Sequence, residues 1–163
     1  MLNTLTLHRL IACTLLLSVL GACTTTPTNT GTPPSRSSPS QLAAFSTTLN
    51  AQNQVPPVPR SLTSATGRVD AVLDKNTRLL RWKLSFQGLT GDAVAGHFHG
   101  PAATGVRAGV AVAFRGAVTS PMEGQITLNP AQAADLLAGN WYVDIHTLAF
   151  PAGEIRGQMT LRE

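Results

Sequence analysis

Cysteine is almost missing from this chain. Two occur in 163 residues, Cys13 and Cys23, so one internal disulfide is the upper limit. Aromatic residues make up 5% and charged residues 12% of the sequence. So little charge excludes a polyelectrolyte-like disordered protein, and the 43% hydrophobic content is that of a chain that builds a core. Acids are scarce too, with five Asp and three Glu. No Gly-x-Ser-x-Gly, no phosphate-cradling glycine loop and no His-Glu-x-x-His occurs. The length is that of one domain with appendages, not two.

Basic residues outnumber acidic ones, and the net charge is +4. They are scattered as Arg60, Arg68, Arg78, Arg81, Arg107, Arg115 and Arg156, without a run and without interleaved aromatics. Nucleic-acid binding needs a clustered basic footprint, so no nucleic-acid partner is expected.

The N-terminus reads as an address. Arg9 precedes the apolar stretch Leu10–Leu20, which is too short for the roughly 20 residues that span a bilayer. It has the length of a signal-peptide core. It ends in Leu20-Gly21-Ala22-Cys23, which resembles a bacterial lipobox, where a Cys thiol receives a diacylglycerol and becomes the new N-terminus. Residues 1–22 are therefore expected to be a lipoprotein signal peptide, with Cys23 the lipid attachment and the membrane its partner. Thr24 is not the Asp that favours inner-membrane retention, so the expected place is the outer membrane or cell surface. Residues 23–41 are rich in Thr, Ser and Pro and carry no large apolar side chain, the composition of a Pro-stiffened tether.

From Leu42 the pattern changes to short alternating runs between turn residues, and residues 42–163 are expected to form one domain. In Leu79–Gln87, Leu80, Trp82, Leu84 and Phe86 alternate with Arg81, Lys83 and Ser85, the clearest strand pattern in the chain. Strands are also predicted at Leu42–Leu49, Gly67–Leu73, Val94–His99, Gly109–Phe114, Glu123–Leu128, Trp141–His146 and Glu154–Leu161, with a turn at Asp74–Thr77. One helix is predicted, with Asn129 as N-cap, Pro130 in its first turn, Gln132 reaching back to the cap, and Gly139 ending it. Its Ala133, Leu136 and Leu137 fall at core spacing. About eight strands and one short helix give an all-β antiparallel sandwich or barrel.

Outside the leader there are three histidines, in two polar motifs. Gly96-His97-Phe98-His99-Gly100-Pro101-Ala102 is one. Tyr142-Val143-Asp144-Ile145-His146-Thr147, continuing to Pro151-Ala152-Gly153-Glu154-Ile155-Arg156-Gly157-Gln158, is the other. With Phe45, Leu49, Val55-Pro56-Pro57, Gly67 and Gly124, these segments resemble the CHRD domain, a family named for the developmental protein chordin and common in bacterial secreted proteins. Phe98 stands where that family usually has Ile, and Asp144 where it usually has Asn. The resemblance implies an immunoglobulin-like all-β fold outside the cytoplasm and no settled activity.

Residues i and i+2 of a strand share a face. His97 therefore sits beside His99, and Asp144 beside His146, with Glu154 and Arg156 on the polar side of the last strand. If these strands are neighbours, His97, His99, Asp144, His146, Glu154 and Arg156 form one patch. Two or three imidazoles are a credible first shell for copper or zinc. An ion-paired network that fixes strand register is the other reading of the same residues. A proton-transfer enzyme using His146 and Glu154 lacks an accompanying nucleophile motif. Function thus divides between a surface-tethered, non-enzymatic binding module of unknown ligand and a copper- or zinc-binding envelope protein using His97, His99 and His146.

The anchor is tested by Cys23→Ser. The substituted protein should leave the detergent phase on phase extraction while the parent protein stays in it. Equal partitioning would refute lipidation.

Overall fold

A computed structural model of the chain describes residues 41–162. The expected signal peptide, the lipid attachment at Cys23 and all of the expected tether except Gln41 lie outside the described residues. Among the described residues, no helix is long and apolar enough to cross a membrane.

The elements in chain order are β1 (Leu42–Asn50), a 3₁₀ turn (Ala51–Asn53), β2 (Thr66–Asp74), β3 (Leu79–Gln87), β4 (Ala93–His99), β5 (Val110–Ala113), β6 (Met122–Thr127), α1 (Pro130–Leu137), β7 (Tyr142–Thr147), β8 (Ile155–Gln158) and β9 (Thr160–Leu161). The strands form one sheet in the order β5-β4-β7-β8-β1-β2-β3-β6, with β9 also pairing β1. Every pairing is antiparallel. The architecture is the all-β sandwich that the alternating runs predict.

The sheet curls so that its two halves share one core. Trp82 of β3 lies edge-on to Phe98 of β4, with ring centroids 5.3 Å apart, and stacks on Phe114 at 5.7 Å. Phe98 also packs against Phe114 and Trp141. Edge-to-face and offset pairs of this kind add about 0.5–1.5 kcal/mol each beyond area burial. Around them lie Phe45, Leu49, Leu73, Leu80, Leu84, Val143, Ile145 and Ile155, all buried. In β3 the alternation is complete, with Leu80, Trp82 and Leu84 inside and Arg81, Lys83 and Ser85 exposed.

Local signals set the connections. Asp74 Oδ1 accepts from the Asn76 and Thr77 amides at 2.9 and 3.0 Å, closing the β2–β3 turn. In α1, Asn129 Oδ1 accepts from Gln132 N at 2.9 Å and Gln132 Oε1 from Asn129 N at 3.0 Å, a complete capping box. Gly124 lies opposite Trp82 in the β3–β6 ladder, and any Cβ there would collide with the indole.

Two local expectations differ from the structure, and one element has no counterpart among them. The segment Glu154–Leu161 is not one strand. It breaks at Met159, whose amide donates to Trp141 O at 2.8 Å, and β9 then pairs with β1. Leu137 is 38% exposed and not in the core, because the helix ends there and only Ala133 and Leu136 point inward. The 3₁₀ turn after β1 has no periodic signature in the sequence.

The Trp82–Gly124 contact gives a stability test. Trp82→Ala should cost roughly 3–5 kcal/mol in urea unfolding. Gly124→Ala should be destabilising alone but much less so in the Trp82→Ala background, since the ring it strikes is gone. Additive losses would mean that the two residues do not touch.

Candidate metal centre

Strands β4 and β7 are neighbours, with His97 opposite Asp144, His99 opposite Tyr142 and Ala95 opposite His146. Alternation turns Phe98, Val143 and Ile145 into the core and the polar residues to the other face. Sequence reasoning therefore places His97, His99, Asp144 and His146 on one face, and the structure brings them together. One donor atom from each lies within 4.8 Å of all the others.

Asp144 Oδ1 is the hub. It lies 2.9 Å from His146 Nε2, 3.0 Å from His99 Nε2 and 3.8 Å from His97 Nδ1. His97 Nδ1 and His146 Nε2 are 3.1 Å apart. The outer nitrogens of two rings are held by backbone. His146 Nδ1 lies 3.0 Å from Pro151 O, and His99 Nδ1 lies 3.0 Å from Ala108 O. A carbonyl only accepts, so each Nδ1 carries hydrogen and each Nε2 of a neutral ring presents a lone pair inward.

The electrostatics follow from burial and the shared carboxylate. Burial alone would raise the Asp144 pKa, but hydrogen bonds from His146 and His99 outweigh it, and the carboxyl titrates below its ordinary value. Burial pulls His146 down, yet the hydrogen bond and charge of Asp144 and the Pro151 carbonyl overcome it, leaving the imidazole raised. His97 is lowered, first by burial and then by the charge of His146, with Asp144 opposing.

Arg156 is beside this cluster, as expected, but through an intermediary. The Tyr142 ring stacks on His99 on one face, with centroids 4.7 Å apart and planes 3° apart. Arg156 Cζ sits 3.4 Å over the same ring. Burial lowers the Arg156 pKa, while Tyr142 and Asp144 pull it back up. Tyr142 also exchanges hydrogen bonds with the Ala108 backbone, at 3.2 and 3.3 Å. Its role was missed, although it shares parity with Asp144 and His146.

Glu154 does not join the patch. Its carboxylate accepts from Thr63 Oγ1 at 2.6 Å, Thr90 N at 3.0 Å, Thr90 Oγ1 at 2.9 Å and Thr147 Oγ1 at 2.7 Å. The reason is local. Glu154 lies in the bend before β8, where period-2 alternation does not apply, and its fully buried side chain turns toward three threonines, two of them buried. Four donors satisfy the carboxylate without a metal.

The CHRD domain family matches residues 45–159, which is more than two thirds of the chain. No curated protein sequence and no solved structure matches it.

The shared carboxylate makes metal-free stability depend on pH in a definite way. The Asp144 contribution is present above about pH 3.8 and is lost as pH falls through its lowered pKa. The His146 contribution is present below about pH 6.5 and is lost as pH rises through its raised pKa. His97 has the opposite sign to His146, and its greater exposure makes that the smaller effect. Asp144→Asn should therefore cost about 1–3 kcal/mol near pH 5.5, and less once the pH exceeds the raised His146 pKa. Urea melts of chelated protein across pH 3–9 check this, and a pH-independent cost would contradict the assigned bonds.

Proposed function

This chain belongs to the CHRD domain family, and we propose that it is a lipid-anchored, extracytoplasmic module that binds a copper or zinc ion. The ligands are His97 Nδ1, His99 Nε2, His146 Nε2 and Asp144 Oδ1. Cys23 supplies the membrane anchor, a reading supported by Leu20-Gly21-Ala22-Cys23.

One observation carries the metal reading. Two imidazoles, each fixed through Nδ1–H by a backbone carbonyl, aim their other nitrogen at a single carboxylate oxygen. Ligating histidines are oriented in this way, since the outer bond sets the tautomer and the ring plane. Donor spacing agrees. Bonds of about 2.0–2.1 Å in a tetrahedral shell put neighbouring donors about 3.3 Å apart. Four of the six separations, those around Asp144 Oδ1 and between His97 and His146, run from 2.9 to 3.8 Å, and the other two, both to His99, lie within 4.8 Å. Imidazole suits both zinc and copper, and one carboxylate completes three nitrogens and one oxygen.

The protonation balance supports the same reading. Without metal, the His146 imidazole, its pKa raised by Asp144, donates from Nε2 to that carboxylate. An ion that binds His146 Nε2 must displace that proton. Binding should therefore release protons and weaken on acidification. Four protein donors fill a tetrahedral shell and leave no position for substrate, the pattern of a holding site and not of a hydrolase.

Elemental analysis and calorimetric titration test the proposal. One copper or zinc ion should bind per chain at micromolar concentration or tighter, with protons released to buffer. His97→Ala with His99→Ala should abolish binding while circular dichroism stays unchanged. Absence of binding at micromolar metal in the folded parent protein would leave the cluster as a structural ion-pair network.

A further inference from the structure

On the other side of Tyr142 from the histidines lies a separate groove of about 420 Å³. One wall is the 3₁₀ turn and the segment after it, through Gln54 and Val55. The opposite wall is Thr104–Gly105, and Arg156 and Gln158 complete the lining. Its volume is in the range that holds a small ligand. Among the described residues, no acidic side chain lines it.

Arg156 is 2% exposed, yet it makes no ion pair among the described residues. Its one hydrogen bond runs from Nη2 to Val106 O at 2.7 Å. Tyr142 covers one face of the guanidinium. A guanidinium has five N–H donors in a planar fork, so most of this one has no partner among the described residues. Buried cations are ordinarily paired, because desolvating one alone is costly.

Two amides in the same lining are also incomplete. Gln54 is 5% exposed and its Nε2 has no partner among the described residues. Gln158 Nε2 donates to Ala102 O at 2.9 Å and Gly139 O at 2.8 Å, which fixes the orientation of that amide. Its Oε1 is buried and accepts from no group among the described residues. The lining therefore offers a cationic fork, an amide donor and an orphan acceptor.

We propose that this groove binds a carboxylate bearing an N–H on the adjacent carbon. The carboxylate sits on Arg156 beside the Gln54 amide, and the N–H donates to Gln158 Oε1. Planar fork and planar carboxylate match in two parallel hydrogen bonds. A free amino-acid derivative and the C-terminus of a peptide share this chemistry. The site does not depend on the metal reading, since its three groups lie outside the histidine cluster.

The test uses the full-length protein after chelation. N-acetylglycine, N-acetylglycinamide, and an acetylated tetraglycine with a free or amidated C-terminus are titrated against it. The amide resonances of Thr104, Gly105 and Gln158 and the Arg156 Nε–H report binding. Both acids should shift them saturably, and both amides should bind at least about tenfold more weakly. A peptide acid at least tenfold tighter than N-acetylglycine identifies a peptide C-terminus as the ligand, and equal affinity identifies the small acid. Arg156→Lys keeps the charge but loses the fork, and should weaken the acids about tenfold or more. Gln54→Glu places a carboxylate in the groove from within. It should abolish binding of the acids and raise the melting temperature, a result that disruption of the fold could not mimic. Equal affinity for acid and amide, or acid binding that survives Gln54→Glu, would overturn the proposal.

Discussion

The register between β4 and β7 governs this half of the molecule. His97 faces Asp144 across the ladder and Phe98 faces Val143. A slip of one residue would turn Phe98 out of the core and both histidines into it. What prevents the slip is apolar. Phe98 touches Trp82, Phe114 and Trp141, and burying such a side chain contributes about 1.5–3 kcal/mol before ring geometry is counted. The polar cluster thus rides on a register that the aromatic core enforces. Its own hydrogen bonds have a smaller task, the choice of ring orientation.

Most of the fold was legible because period-2 alternation is a local property. Leu79–Gln87 coincides with β3, and the Asn129-Pro130 start and Gln132 return of α1 are realised atom for atom. The same parity argument correctly put His97, His99, Asp144 and His146 on one face. It failed where the chain leaves the ladder. Glu154 precedes β8 by one residue, so its side chain follows a bend and finds Thr147 across the turn, with Thr63 and Thr90, which are distant in sequence. The groups that orient the imidazoles were invisible for a different reason. Ala108 and Pro151 act through backbone carbonyls, and no side-chain pattern announces a carbonyl. Tyr142 was visible by parity but carries none of the usual marks of a ligand, since its contribution is a flat surface between His99 and Arg156.

That flat surface makes two neighbouring polar regions share a wall. Tyr142 contacts His99 on one face and Arg156 on the other. Glu154 meanwhile ties the start of β8 to Thr63 and to Thr90, so the backbone that carries Arg156 is fixed from outside the sheet. Phe98 and Asp144 bear on opposite faces of two paired strands: Phe98 fills the apolar interior, and Asp144 brings a negative charge to the point where three imidazoles meet.

The strand that opens the domain has a mechanical consequence. β1 pairs with β2 along its whole length on one side, and with β9 and the start of β8 on the other. The Arg162 amide bonds to Ala44 O at 2.8 Å, so the end of the described chain is fastened to its beginning. Ladder bonds run perpendicular to the strands. Tension entering at Leu42 along the strand axis therefore meets those bonds in shear, with many having to rupture together. A domain pulled from this end resists as a clamp would, where one pulled across its ladder would open like a zip.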